Sequence, residues 1–125
     1  MKRCAEKGGV MGITQMRPFV TTDQNTQIYV DHIMHAINVM GIDHVCIGSD
    51  RDHRRLTMSE EYIAELIQEE GHINPAEYPL YFEDLNGPRR MEWIWDNLAA
   101  RGLSEGQLEK VIGINVYNLY EQIIG

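Results

Sequence analysis

"GIDHVCIGSDRDHRR", residues 41–55, decides the fold of this 125-residue chain. Its first half is apolar without alternation, a pattern typical of a strand buried on both faces of a parallel sheet. Its second half replaces the apolar residues with aspartates, arginines and a histidine. Functional groups of parallel α/β sheets gather at the carboxyl ends of strands, so Asp50 is the first candidate for a working residue.

Two roles stay open for Asp50 from its position alone. A carboxylate there can bind a metal, orient a water or exchange a proton during hydrolysis. Aspartate is also common as a cap of a loop or of the next helix, and position alone favours this second role by a small margin. Gly48 and Ser49, which precede it, are expected to let the backbone approach whatever lies above the strand end.

The residues after Asp50 are candidates for a substrate pocket. Arg51, Asp52 and His53 continue the same stretch into a loop. The Asp52 side chain points the same way as that of Asp50 only if the strand continues. The favoured interpretation is that the Asp52 carboxylate is solvated or paired with Arg51. An Asp-x-Asp pair is a weak motif by itself.

Working outward from this stretch, the pattern predicts alternating helices and strands. Upstream we expect the tail of a helix, a short strand and a periodic helix that ends at Gly41; these are residues 1–7, 10–14 and 25–40. Downstream, Ser59 and Ser104 are expected to cap helices, and helical patterns cover residues 89–101 and 114–124. Residues 54–88, broken by prolines, are predicted to form an irregular, insertion-like excursion.

Only two strands are visible, and both are predicted to be parallel and buried. Two parallel strands cannot cover their own edges and faces. The chain is therefore expected to be a single unit, residues 1–125, that forms part of a larger α/β domain.

Composition excludes several classes of protein. The formal net charge of −8 argues against binding to nucleic acid or to anionic membranes, which depends on clustered lysine and arginine. No apolar run is long enough to span a membrane, and two cysteines are too few for a disulfide scaffold. A reducing, cytoplasmic location is expected, unless a signal peptide lies upstream of residue 1.

His32 and His35 form the other candidate metal site. Their i, i+3 spacing on a helix, beside Asp31, can bring two imidazoles to one metal. The helix precedes the strand and belongs to the outer layer, so surface or partly buried histidines are favoured over a metal site.

Three motifs resemble, in order and spacing, the C-terminal third of the membrane dipeptidase (renal dipeptidase) family. They are "GGVMGIT" (residues 8–14), "YVDHIMHAINVMGIDHVCIGSDRD" (29–52) and "LAARGLSEGQLEKVIGINVYNLYE" (98–121). The resemblance implies the last two units of a (β/α)₈ barrel with extra C-terminal helices. It also implies a binuclear zinc centre and dipeptide substrates for the complete barrel.

The resemblance also assigns a role to one residue. The family's "GSD" aspartate handles protons beside the metal-activated water, and it matches Asp50. The family's zinc ligands and its arginine for the substrate carboxylate lie upstream of residue 1, so no metal ligand is expected in this chain and no zinc bound to it alone. Cys46, Arg51 and His53 stand where the family has glycine, phenylalanine and glycine.

Three hypotheses follow for function. The first is the C-terminal portion of a dipeptidase-like metallohydrolase that is inactive as an isolated chain. The second is a non-enzymatic α/β module that forms a homo-oligomer or binds a partner through exposed sheet edges. The third is a small metal-binding module that uses His32 and His35.

Overall fold

The computed structural model describes residues 1–51, 54–72 and 74–125. The helices are α1 (Lys2–Ala5), α2 (Arg17–Val20), α3 (Gln27–Met40), α4 (Glu60–Glu70), α5 (Arg90–Ala100), α6 (Glu105–Glu109) and α7 (Asn115–Ile124), and the strands are β1 (Met11–Ile13) and β2 (Val45–Ile47). Three 3₁₀ turns, Ile42–His44, Pro75–Glu77 and Glu83–Leu85, and one π-helical segment, Lys110–Ile114, complete the elements.

The two strands form a parallel sheet, as predicted, and α3 is the crossover between them. The register pairs Met11 with Val45, Gly12 with Cys46 and Ile13 with Ile47. Backbone pairing continues past the strands: the Gly48 amide donates to the Ile13 carbonyl at 3.1 Å, and the Gln15 amide donates to the Ser49 carbonyl at 3.1 Å. The carboxyl ends of both strands therefore lie side by side.

The sheet is shorter than expected, and its two strands differ in burial. Gly41, with φ of 91°, ends α3, and the 3₁₀ turn that follows delays the start of β2 to Val45. In β2, Val45 and Cys46 face opposite sides and are both buried, as predicted. In β1, Ile13 is buried in the core whereas Gly12 is exposed, so the prediction of burial on both faces is wrong for this strand.

The core lies between the sheet and the helices. The face of α3 that enters the core consists of Tyr29, Val30, Ile33, Ala36 and Met40. Ile28 is only partly buried and lies beside His32 and His35 on the outer side. From α5, Ile94 and Leu98 are fully buried, and Trp93 and Trp95 pack against the core while partly buried.

Residues 54–88 contain regular structure and contribute to the core. Ser59 caps α4, because its hydroxyl accepts a hydrogen bond from the Tyr62 amide at 3.2 Å. Further along, Phe82 and Leu85 are fully buried in the same cluster as the helices. The part of the segment around Phe82 and Leu85 is therefore packed into the core.

The C-terminal residues form one continuous helical run. It begins with a capping box, in which Ser104 and Gln107 bond each other's backbone amides. The π-helical segment then joins α6 to α7 without a break. Among the described residues, no helix is both long and apolar enough to cross a bilayer.

Candidate functional site at the carboxyl ends of the strands

Asp50 lies directly after the last backbone bond between the strands. It is exposed, and its φ of 50° places it in the left-handed region. A residue with a Cβ adopts this conformation at some cost, and aspartate is one of the few that tolerates it. Such conformations cluster at functional sites, where the surrounding structure holds them in place. The geometry thus presents the carboxylate at the edge where the ends of β1 and β2 meet.

The glycine before this site serves a different purpose from the one expected. A Cβ placed on Gly48 would lie 2.9 Å from the backbone of Gly12, closer than real Cβ atoms come. The close approach at Gly48 is therefore to the neighbouring strand and not to a group above the strand end.

Arg51 is held by the segment that follows α4. Its guanidinium lies 5.1 Å from the centroid of the Tyr81 ring, within the range of a cation–π contact. Its Nη2 also donates to Oδ1 of Asn86 at 2.9 Å. Tyr81 and Asn86 are both buried, so Arg51 is fixed beside Asp50 by the core. The other two pocket candidates, Asp52 and His53, lie outside the described residues.

Arg17 is a buried cation that sequence reasoning missed. It follows β1, is fully buried, and donates four hydrogen bonds to backbone carbonyls. Two of these join it to Pro79 (2.8 Å) and Ala76 (3.1 Å), and two to Thr22 (2.8 Å) and Thr21 (3.4 Å). A guanidinium can satisfy several carbonyls at once because its donors form a rigid fork. Arg17 therefore connects the loop at residues 21–22 to the loop at residues 76–79, near the carboxyl end of β1. The sequence around Arg17 contains no pattern that predicts these long-range contacts.

Two titratable groups are buried beneath the site. The Tyr29 hydroxyl donates to the Ile13 carbonyl at 3.2 Å, and burial raises the pKa of this hydroxyl above its ordinary value. Burial also raises the pKa of the Cys46 thiol, which favours the neutral form. Cys46 is therefore a small apolar residue of the sheet and not an activated nucleophile.

The described histidines do not assemble a metal site. His32 and His35 are exposed and line a shallow cleft with Asp31, but the Asp31 carboxylate pairs with Arg101 at 2.6 Å. His44 donates through Nδ1 to the Gly9 carbonyl at 2.9 Å, at the amino end of β2. Across the described ranges, no group of three or more histidine, cysteine or acidic side chains is placed to hold a metal. These residues do not fit a binuclear centre.

Comparison with known proteins identifies the family. Residues 1–68, which include both strands, α3 and Asp50, match the model of the membrane dipeptidase family (Peptidase family M19). The chain therefore belongs to this family, and the resemblance seen in the sequence is confirmed. Dipeptidase ataJ of Aspergillus terreus (strain NIH 2624 / FGSC A1156) is a relative, 29% identical over 120 residues. That alignment covers 93% of this chain and 23% of the relative, so the chain spans under a quarter of the relative's length. No solved structure matches the chain.

Proposed function

We propose that the chain supplies the C-terminal portion of a dipeptidase-like hydrolase, with β1 and β2 as the last two strands of a (β/α)₈ barrel. The observation that carries the proposal is the family match over residues 1–68, which includes Asp50. The parallel pairing of the strands, each of which has one edge that no described strand pairs, is compatible with further strands completing the sheet.

Asp50 is the proposed proton-transfer residue of the complete barrel. Its carboxylate takes a proton from the attacking water and passes it to the amine nitrogen that leaves when the peptide bond breaks. Arg51, Asp52 and His53 are proposed to line the substrate pocket. Zinc is the cofactor expected for the complete enzyme, but the described residues offer it no ligand set, so this chain contributes the carboxylate and not the metals.

The role of Asp50 is tested by an Asp50→Asn variant of the complete enzyme, in which the remaining strands are supplied in the same or a second polypeptide. We expect dipeptide turnover to fall by a factor of about 10²–10⁴, the usual contribution of a general acid or base. Asp43→Asn is the matched control, because Asp43 lies at the amino end of β2 and pairs with Lys110 on the surface. Full activity of Asp50→Asn would contradict the proposal.

The isolated chain is expected to show no turnover. The assay uses the 125-residue polypeptide with added zinc and a series of dipeptides. Hydrolysis that disappears in Asp50→Asn would show that the chain is an enzyme by itself.

A second candidate function is self-association without catalysis. It is favoured by the two-stranded sheet, in which each described strand has one edge without a strand partner. Apolar side chains on α7 are exposed as well, with Tyr117 at 63% and Ile124 at 77%. Light scattering is expected to show an oligomer; a monomer at high concentration would count against this function.

A further inference from the structure

The side chain of Asn86 forms hydrogen bonds with two residues of the loop that follows Asp50, Arg51 and Leu56. Its Oδ1 accepts from Nη2 of Arg51 and from the backbone amide of Leu56, both at 2.9 Å. Its Nδ2 donates to the Leu56 carbonyl at 2.8 Å. The side-chain amide thus pairs with Leu56 as a peptide group would in a sheet and holds Arg51 at the same time. Both ends of the loop after Asp50 meet at one buried side chain.

The turn that carries Asn86 is itself anchored in the core. Phe82 and Leu85 are fully buried, and Asp84 accepts from the Thr26 hydroxyl at 2.7 Å, at the start of α3. Arg55 forms an ion pair with Glu83 of the same turn, which adds a third contact from the loop. Asn86 is therefore a fixed point against which the loop is held.

This anchoring accounts for the conformation of Asp50. The left-handed backbone at Asp50 is unfavourable for a residue with a Cβ and persists only where neighbouring contacts hold it. The next residue, Arg51, is held by Asn86 and stacked over Tyr81. Release of Arg51 and Leu56 would let the loop relax and turn the carboxylate away from the strand ends.

We propose that Asn86 is a positioning residue that, through Arg51 and Leu56, holds the Asp50 carboxylate at the carboxyl edge of the sheet. The catalytic meaning of this placement rests on the proposed function of Asp50. The placement itself is a statement about the 125-residue chain and is tested without any activity.

The test compares the wild-type chain with Asn86→Leu, which has nearly the same shape and no amide, by NMR. In the wild type the Leu56 amide should be protected from hydrogen exchange. In Asn86→Leu it should exchange about tenfold faster, the effect of losing about one hydrogen bond. The backbone carbon shifts of Asp50 should move away from left-handed values. Asn86→Asp keeps the acceptor for Arg51 and Leu56, so it should restore both readouts in large part.

Asn115→Ala is the matched control. Asn115 is buried like Asn86, and its Nδ2 donates to the backbone carbonyls of Ile42 and Val45, at the opposite end of β2. Its loss should lower stability and leave the Asp50 shifts unchanged.

Three outcomes would overturn the proposal. They are an unprotected Leu56 amide in the wild type, Asp50 shifts that stay unchanged in Asn86→Leu, and Asp50 shifts that move equally in Asn115→Ala. The wild-type measurement tests the Leu56 contact alone, so Asn86→Ala replaces Asn86→Leu, with the same expected outcomes, if the latter does not fold.

A kinetic measurement separates this proposal from the proposed function. In the complete enzyme, Asn86→Leu should lower kcat about tenfold and change KM little, since misplacement of a proton-transfer group acts on the chemical step. A wild-type enzyme without dipeptidase activity would contradict the proposed function and leave the NMR result standing. Normal kcat with a released loop would contradict the positioning role alone.

Discussion

Gly12 and Gly48 face each other across the parallel sheet so closely that a Cβ on either would lie 2.9 Å from the backbone of the other. Neither position can accept a side chain unless the strands move apart. The contact lies two residues before Asp50, so the spacing of the strands also sets where the Asp50 loop begins.

We expect Gly48→Ala to lower the free energy of unfolding by about 1–3 kcal/mol, the usual cost of overpacking a tight contact. Chemical denaturation followed by circular dichroism measures the change. Gly106→Ala is the control, because Gly106 lies in α6 with open space around its Cα. This variant should be neutral or gain about 0.5–1 kcal/mol from helix propensity. Equal effects at the two positions would contradict the close contact.

Arg17→Met should destabilise the fold by about 2–4 kcal/mol, because the carbonyls of Thr21, Thr22, Ala76 and Pro79 lose the hydrogen bonds that this buried guanidinium donates. Thermal unfolding gives the result, and protease sensitivity near residue 79 should rise as well. Arg89→Met serves as the control, since Arg89 pairs with Glu92 on an exposed surface and its loss should leave the unfolding temperature nearly unchanged. An Arg17→Met chain as stable as the wild type would show that the loops hold together without the guanidinium.

The stability of the chain should fall in alkaline solution. In the unfolded chain the Cys46 thiol ionises around its ordinary pKa of 9.0 and the Tyr29 hydroxyl around 10.0, whereas burial raises both pKa values in the folded chain. The unfolded state then binds fewer protons, so the free energy of unfolding decreases as pH rises above about 9. Denaturation at a series of pH values measures the slope. Tyr29→Phe should make the slope shallower above pH 10.0.

The two cysteines should differ sharply in reactivity. Cys4 is exposed, whereas Cys46 is buried and its pKa is raised, so little thiolate is present for alkylation. Mass spectrometry during iodoacetamide treatment should show Cys4 modified at least about a hundredfold faster. In guanidinium chloride the two rates should converge. Fast modification of Cys46 in the folded chain would show that the sheet opens readily.

Local signals predicted the elements that depend on neighbours in sequence. Ser59 and Ser104 cap the helices expected of them, and the apolar runs before Gln15 and Asp50 pair as parallel strands. The position of Asp50 after β2 follows from the same pattern. These features can be predicted without knowledge of distant residues, because the sequence signals for caps, helices and buried strands lie within about ten consecutive residues.

Contacts between distant residues could not be predicted in this way. Arg17 binds carbonyls about sixty positions away, and Asn86 binds Leu56 thirty positions upstream. The late start of β2, at Val45, could not be predicted because the 3₁₀ turn at Ile42–His44 is stabilised from outside, by Gly9 and Asn115. The sequence around a single arginine or asparagine in a loop does not predict which distant residue it will contact in the folded chain.

The π-helical segment Lys110–Ile114 lets the C-terminal run hold one extra residue without losing its contacts to the turn before β2. Lys110 pairs with Asp43 at 2.6 Å, and Asn115 donates to Ile42 and Val45, so residues five positions apart reach the same turn. In a regular α-helix such residues point about 140° apart, whereas the wider π turn brings them closer to one face. Loss of a single residue between them would leave a regular helix in which they are four positions apart and still share a face. We therefore expect homologous chains that differ in length within this run to differ by one residue at the π turn.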